Sequence, residues 1–484
     1  MERLPLWPHQ ARAKKLLDEP ATMLAWEMGT GKTRPVVEHI AEASQKKSWL
    51  IICPKSVCRV WRSEVGKYAP ELIDFMAVLD TGSTDKNMQI VNAQKYRMIV
   101  INYESVWRGE LGERIARHVW GGIVCDEIHR IKSHDGRASR FVAKLRAQKR
   151  IGLSGTPMPK DYLDVFGQYR FLDPSIFGDS FHRFKNRYAI MGGHRIKTPR
   201  GFKPVQIVGW QNIDELKEKF HYIADRVQTD EVLSLPEKMH VTRFVQLGKE
   251  AQRIYNALEK DFVVECKAGN ITAANGGVKV GRMQQVTGGC AYLEAGGISQ
   301  IDDSKQKELQ AFFGDIGKSE PVVVFCNFIG EIDQVHKAAE TAGRWSYELS
   351  GRKNQYEKWL GNEKKSGSVI VAQIRAGGVG VDMSAARYCV YWSTGWTPGD
   401  YEQSEARVYR QGQTRKVLYV HLIAQGTVDE TISHALRARI SAIDAVVNVL
   451  SNQEKHNENY RRTDQEIHST DEHETRFGST SRRR

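Results

Sequence analysis

Short β-branched apolar runs recur along this chain between stretches patterned for helix, and nothing else in it restricts the fold as strongly. The runs are Trp49–Cys53, Met98–Ile101, Gly122–Cys125 and Ile151–Leu153, then Val322–Cys326, Val369–Ala372, Cys389–Trp392 and Val417–Ile423. Strands buried on both faces read as continuous apolar runs, and strands alternating with helices close into parallel α/β sheets. The two groups are separated by Lys160 to Lys318, which is richer in helical and loop-like patterns. At 484 residues the chain exceeds a single core, so two or three domains are expected. The simplest partition is two α/β lobes in tandem with helical insertions between and within them. The first lobe takes residues 1–160, a helical insertion and linker 161–240, and a second lobe with its own N-terminal helical insertion 241–450.

Gly192-Gly193, Thr198-Pro199-Arg200-Gly201 and Gly276-Gly277 are turn signals within the intervening segment. Thr427 to Leu450 places Val428, Ile432, Leu436, Ile440, Ile443 and Val447 at three- and four-residue spacing, the pattern of an amphipathic helix. Residues 451–484 are polar and end in Arg482-Arg483-Arg484; too little apolar surface is present to offset the entropy of ordering, so a disordered tail is expected.

Apolar residues make up 40% and charged residues 27%, a globular balance, and no run of about 18 apolar residues offers a bilayer span. The start, Met1-Glu2-Arg3-Leu4-Pro5-Leu6-Trp7, lacks the basic and apolar regions of a secretory signal, which points to an intracellular, cytoplasmic protein with no membrane partner. Seven cysteines (Cys53, Cys58, Cys125, Cys266, Cys290, Cys326, Cys389) show no zinc-type spacing and read as buried reduced thiols. A formal charge of +13 favours polyanionic partners, since Lys and Arg that neutralise phosphates release counterions. A merely basic enzyme has the same balance.

Gly29-Thr30-Gly31-Lys32-Thr33 lies between the apolar Ala21–Trp26 and a helical pattern beginning near Pro35. Strand, glycine loop and helix N-terminus make a phosphate cradle, in which Lys32 reaches the β- and γ-phosphates of ATP and the Thr33 hydroxyl ligates Mg2+. Trp26 occupies the first glycine position of the usual pattern, and an isolated loop of this kind also fits an ordinary turn. Gly122–Cys125 runs into Asp126-Glu127-Ile128-His129 at the carboxyl end of an expected strand, where α/β sheets place ligands. Asp126 is suited to hold Mg2+ and Glu127 to polarise an attacking water.

The phosphate loop, Asp126-Glu127-Ile128-His129 and Leu153-Ser154-Gly155-Thr156-Pro157 resemble motifs I, II and III of superfamily 2 helicases. Phe171-Leu172-Asp173-Pro174, Phe177-Gly178, Leu235-Pro236, Ser304-Lys305 and Val323-Val324-Phe325 follow in the order of the Snf2 family. Ala376-Gly377-Gly378-Val379-Gly380-Val381-Asp382 is similar to its motif V. Trp396-Thr397-Pro398 and Gln403-Ser404-Glu405-Ala406-Arg407-Val408-Tyr409-Arg410-Gln411-Gly412-Gln413 are similar to its motif VI. The likeness runs from about Leu6 to Leu450.

This resemblance implies two RecA-like lobes, ATP and Mg2+ as cofactors, and a motor that couples hydrolysis to movement on double-stranded DNA. It assigns Lys32, Asp126, Glu127, Arg407 and Arg410 to catalysis, with the two arginines on one face of a helical pattern and acting from the second lobe. Taken alone, such a pair also reads as a solvated helix face. Gln10 is the adenine reader; Gly29, Thr30, Gly31, Lys32, Thr33, Gly378, Gly380 and Asp382 line the nucleotide. His129, Ser154, Thr156 and Gln403 couple the two ligands. Lys55, Asn102, Tyr103, Arg375 and Trp396 fall at nucleic-acid-facing positions, each equally readable as a surface or packing residue. Ile128, Asp382 in place of an asparagine, and Met158-Pro159-Lys160 depart from the family pattern without removing a catalytic group. The compact spacing suggests a bacterial or phage enzyme. Strand separation or branch migration on forks or recombination intermediates, with RNA as a further substrate, shares the same motifs. So does an ATP-switched DNA-binding scaffold without sustained turnover.

Overall fold

The first group of apolar runs becomes β2 (Trp49–Cys53), β4 (Met98–Asn102), β5 (Val119–Asp126) and β6 (Arg146–Leu153); the apolar Ala21–Trp26 is β1, and Met76–Leu79, not among the expected runs, is β3. The structure is a computed structural model that describes residues 5–43, 47–79, 87, 95–159, 161–198, 201–232, 235–267, 273–292, 297–361, 367–374 and 381–437. Two further strands, β7 (Ala189–Thr198) and β8 (Gly201–Trp210), precede β9 (Ala224–Val227). The first sheet is ordered β3-β4-β2-β5-β6-β1-β9, and its neighbouring strands pair in parallel. Both of its faces are covered: Leu50, Ile52, Ile123 and Tyr169 belong to one core, and Leu24, Ile51, Val124 and Trp61 to the other. This explains why β1, β2, β4 and β5 carry no polar alternation.

The later runs form β13 (Val322–Cys326), β15 (Val369–Gln373), β16 (Tyr388–Tyr391) and β17 (Val417–Ala424). Together with β10 (Lys238–Val245) and β14 (Ser346–Leu349) they make a second sheet ordered β10-β17-β16-β13-β15-β14. Its core gathers Val322, Val324, Ile332, Val371, Val390, Trp392 and Leu422. The two sheets belong to separate compact units. Among the described residues the first unit holds the chain up to Met239 together with 381–387 and Glu402–Val417; the second holds His240–Ile374, Tyr388–Tyr401 and the chain from Leu418 onward. The fold is therefore two α/β sheets in tandem with many helices, as expected.

The stretch expected to be helical and loop-like is richer in strand than its sequence suggests. β7 and β8 form an antiparallel ribbon of their own, β9 joins the first sheet, β10 joins the second, and β11 (Cys290–Tyr292) pairs with β12 (Ile298–Gln300). β9 reads Ala-Asp-Arg-Val, too short and too polar to signal a strand, and is fixed instead by parallel pairing with β1. Gly192-Gly193 lies inside β7 and not at a turn, and a Cβ added at Gly192 would sit 2.9 Å from Val208 Cγ2 across the ribbon. The helix expected to reach Leu450 is described as Val428–Arg437; its continuation and the tail from Ser451 lie outside the described residues. No helix among the described residues is long and apolar enough to cross a membrane. Cys53, Cys58, Cys125, Cys290, Cys326 and Cys389 are buried thiols.

Candidate active site

Strand order brings the first three motifs together. β5, β6 and β1 are neighbours, and parallel pairing puts Asp126, Ser154 and the Gly29–Thr33 loop beyond the same edge of the sheet. The loop turns through left-handed conformations at Gly29 (φ 84°) and Gly31 (φ 73°), which side chains disfavour. The helix Thr33–Glu42 then begins at Thr33, two residues earlier than expected, with Lys32 at its N-cap. Its unpaired N–H groups and positive dipole end make that terminus an anion site.

Several contacts hold the loop. Thr30 Oγ1 donates to the Glu27 carbonyl at 2.7 Å, His9 Nε2 lies 2.9 Å from the Thr30 carbonyl, and Gln10 Nε2 donates to the Gly31 carbonyl at 3.2 Å. Gln10 also accepts from the Trp7 amide at 3.1 Å and is buried, so its amide is engaged with the loop and the segment before it. Trp26, standing where the usual pattern has glycine, is the last residue of β1; its indole donates to Asp225 on β9 at 2.7 Å. Lys32 Nζ donates to the Trp26 carbonyl at 3.3 Å.

Asp126 and Glu127 are both buried. Burial, reinforced by the neighbouring Glu127, raises the Asp126 carboxyl to about 6, against the downward pull of Lys32 and of the Trp61 N–H. Tyr103 Oη donates to the Asp126 carbonyl at 2.9 Å. Glu127 is held in the left-handed region (φ 52°, ψ 53°), a strained place for a residue with a side chain and one that is common at functional sites. Burial pushes its carboxyl upward, but His129 and the charges of Lys32 and Arg130 outweigh this and leave it below the ordinary range. Its oxygens make no well-formed hydrogen bond; the nearest partner is His129 Nδ1, 3.3 Å from Oε2. The same Nδ1 lies 3.1 Å from Ser154 Oγ, which accepts from the Thr156 amide at 3.1 Å. A buried, ionised carboxylate with spare acceptors fits the activation of a water.

Arg410 packs against the phosphate loop: a Cβ built on Gly29 would stand 3.4 Å from Arg410 Cβ. Arg410 Nε is 3.8 Å from Asp382 Oδ2, and Asp382 Oδ1 accepts from the Ser384 amide and hydroxyl at 2.9 and 2.7 Å. The carbonyl of the buried Arg407 accepts from the Met383 amide at 2.8 Å. One expectation is corrected here. The helix Pro398–Glu405 carries Gln403 but ends before either arginine, so Arg407 and Arg410 lie in the following turns and not on one helix face. In sequence they lie between β16 and β17 of the second sheet, and the stretch Glu402–Val417 packs with the first unit.

The nucleic-acid candidates separate. Lys55 is exposed just after β2. Tyr103 is buried in the core with its hydroxyl spent on Asp126, and Asn102 is buried with its Oδ1 accepting from the Ser105 amide at 2.8 Å; both are removed from a backbone-facing surface. Trp396, in the second unit, is half-buried and donates to Gln284 Oε1 at 2.6 Å. Arg375, Gly378 and Gly380 lie outside the described residues. Sequence reasoning missed Trp61, whose position on the helix Cys58–Tyr68 reads as plain core, and His9.

Among the described residues no group of three His, Cys, Asp or Glu side chains could hold a metal unaided. Thr33 and Asp126 together with phosphate oxygens suit a hard cation such as Mg2+, which takes few protein ligands.

The SNF2-related domain matches residues 12–287, and the helicase conserved C-terminal domain matches residues 304–412. An uncharacterized ATP-dependent helicase, MG018 of Mycoplasma genitalium, is 23% identical over 85% of this chain and 38% of its own length. The DNA repair protein rhp54 of Schizosaccharomyces pombe is 24% identical over 93% of this chain and 59% of its own. The chain thus spans less than two thirds of either relative. Among solved structures, the Sulfolobus solfataricus SWI2/SNF2 ATPase core in complex with dsDNA aligns with 93% of this chain and 96% of its own at 23% identity and a TM-score of 0.44. With more than half of its length matched by the first domain and the helicase C-terminal domain following in order, the chain belongs to the SNF2-related family of ATP-dependent helicases.

Proposed function

We propose that the chain is an ATP-driven motor that moves along double-stranded DNA. The observation that carries this reading is the convergence of Lys32, the Asp126–Glu127 pair and Arg410 on one glycine loop within one compact unit. Phosphoryl transfer asks little covalent chemistry of a protein and depends on charge placed around the γ-phosphate, which this set supplies. Lys32 holds the β- and γ-phosphates, Thr33 and Asp126 carry Mg2+, Glu127 orients and deprotonates the attacking water, and Arg407 and Arg410 stabilise the developing charge. The cation, when bound, neutralises phosphate oxygens. Gln10 reads the adenine by exchanging its loop hydrogen bonds. His129, touching both Glu127 and Ser154, relays the nucleotide state toward Thr156, and Lys55, Arg375 and Trp396 are the proposed DNA contacts.

The test is ATP hydrolysis with and without duplex DNA, paired with displacement of a third strand from a triplex. Duplex-stimulated turnover and triplex displacement without separation of the duplex support translocation. Separation of the duplex strands supports an unwinding helicase instead, and the absence of turnover supports a nucleotide-switched scaffold.

A further inference from the structure

One basic stretch of this protein carries no acidic residue at all. From Ser180 to Ile213 the chain carries seven Lys and Arg and no Asp or Glu, so 34 residues hold +7 of the formal +13. None of the helicase-type motifs lies in this stretch, and neither the nucleotide site nor its coupling path uses it.

Its first part is the helix Phe181–Tyr188. Phe184 and Tyr188 are buried with Phe166 and Leu216, and Phe181 packs beside them. Such an anchor fixes the opposite face, where His182, Arg183, Asn186 and Arg187 are exposed. Arg187 is neutralised by Glu215 at 2.5 Å, but among the described residues no ion pair engages Arg183 or Lys185. The second part is the β7–β8 ribbon, which among the described residues pairs with no other sheet. Arg195 and Lys197 are alternate residues of β7 and fall on one face of the ribbon, whereas Lys203, opposite Ile196 on β8, falls on the other. Ten residues per strand give a ribbon roughly 30 Å long. A lone two-stranded ribbon is marginal in water and is of the size the DNA major groove admits. A helix and a following ribbon whose sequence carries cations and no acidic residue of its own are complementary in charge to a polyanion.

We propose that the helix Phe181–Tyr188 and the β7–β8 ribbon form a second nucleic-acid contact, a cationic arm that binds the phosphate backbone of double-stranded DNA apart from the motor motifs. The inference rests on the motor reading above, because it takes duplex DNA as the ligand.

The experiment compares the full chain with R183A/K185A and with R195A/K197A, measuring duplex-DNA binding by fluorescence anisotropy over a range of salt, and basal and DNA-stimulated ATP hydrolysis. Each phosphate that is no longer neutralised should flatten the plot of log K against log salt by about 0.9, and duplex affinity near physiological salt should fall about tenfold or more. Basal hydrolysis should stay at the wild-type level, which also reports that the variants are folded, and R183K/K185R should restore binding. Wild-type slope and affinity in both variants, with duplex stimulation of the parent intact, overturn the arm alone. A parent that neither binds duplex DNA nor responds to it overturns the motor reading and the arm together. Loss of binding to single strands with duplex binding unchanged also rejects the arm.

Discussion

The indole N–H of Trp61 donates to Asp126 Oδ2 at 2.9 Å, tying the helix after β2 to the carboxylate at the end of β5. That donor favours the ionised form of a carboxyl that burial raises to about 6. Asp126 must be ionised to take a divalent cation, so kcat/KM, which reports the free enzyme, should fall as pH falls through about 6. In Trp61→Phe the donor is gone, and the acid limb of kcat/KM against pH should move upward. An unchanged limb means that Asp126 does not set it.

Lys32→Ala should abolish ATP hydrolysis while leaving duplex binding largely intact, as shown by anisotropy beside a phosphate-release assay. Arg410→Ala should lower kcat by about a thousandfold while nucleotide affinity changes little, since an arginine that meets the γ-phosphate acts mainly in the transition state. Equal losses in both quantities argue for a binding role instead.

In the second unit the buried Glu331 accepts from the amides of Asn327 and Phe328 and from Ser393 Oγ, at 2.9, 3.0 and 2.6 Å. Burial nevertheless lifts its carboxyl from 4.5 to about 7. The folded state therefore holds a proton that the unfolded chain releases, so this group's contribution to stability declines as pH rises from about 4.5 to about 7. Glu331→Gln should remove that decline, read as Tm against pH for the two proteins, with the variant gaining on the wild type as pH increases.

Lys305 donates to Asp429 Oδ2 and to the Trp392 carbonyl, both at 2.7 Å, and is almost wholly enclosed. Lys305→Met leaves Asp429 buried with its charge uncompensated and should cost about 3–5 kcal/mol in denaturant unfolding. K305M/D429L should recover much of that loss. A Lys305→Met change that leaves stability as it was means the pair is solvated in solution.

The central strands of both sheets were legible because they are apolar runs covered on two sides, as Trp49–Cys53 and Val322–Cys326 are, whereas Met76–Leu79, Lys238–Val245 and Ser346–Leu349, nearer the sheet edges, were not read. β9 was not, because a partner strand some 200 residues away supplies its stability and its sequence does not. The phosphate loop and Asp126–Glu127 stand out as local patterns whose chemistry follows from residue type. The role of Trp61 is set by distance in space, and a tryptophan on an amphipathic helix carries no mark of what its N–H will meet. The arginines were legible as residues but not as geometry: the three-residue spacing suggested a helix, whereas the chain leaves helix at Glu405 and turns before reaching Arg410.

β1 is an interior strand only because β9 lies along its outer side. While the polypeptide is being made, the strand leading into the phosphate loop therefore presents a bare hydrogen-bonding edge until Val227 has emerged. At about 5–20 residues per second that interval is roughly ten to forty seconds. Throughout that interval the nascent protein is exposed to mispairing along Ala21–Trp26, and for this strand the exposure ends with the arrival of a four-residue segment almost halfway down the chain.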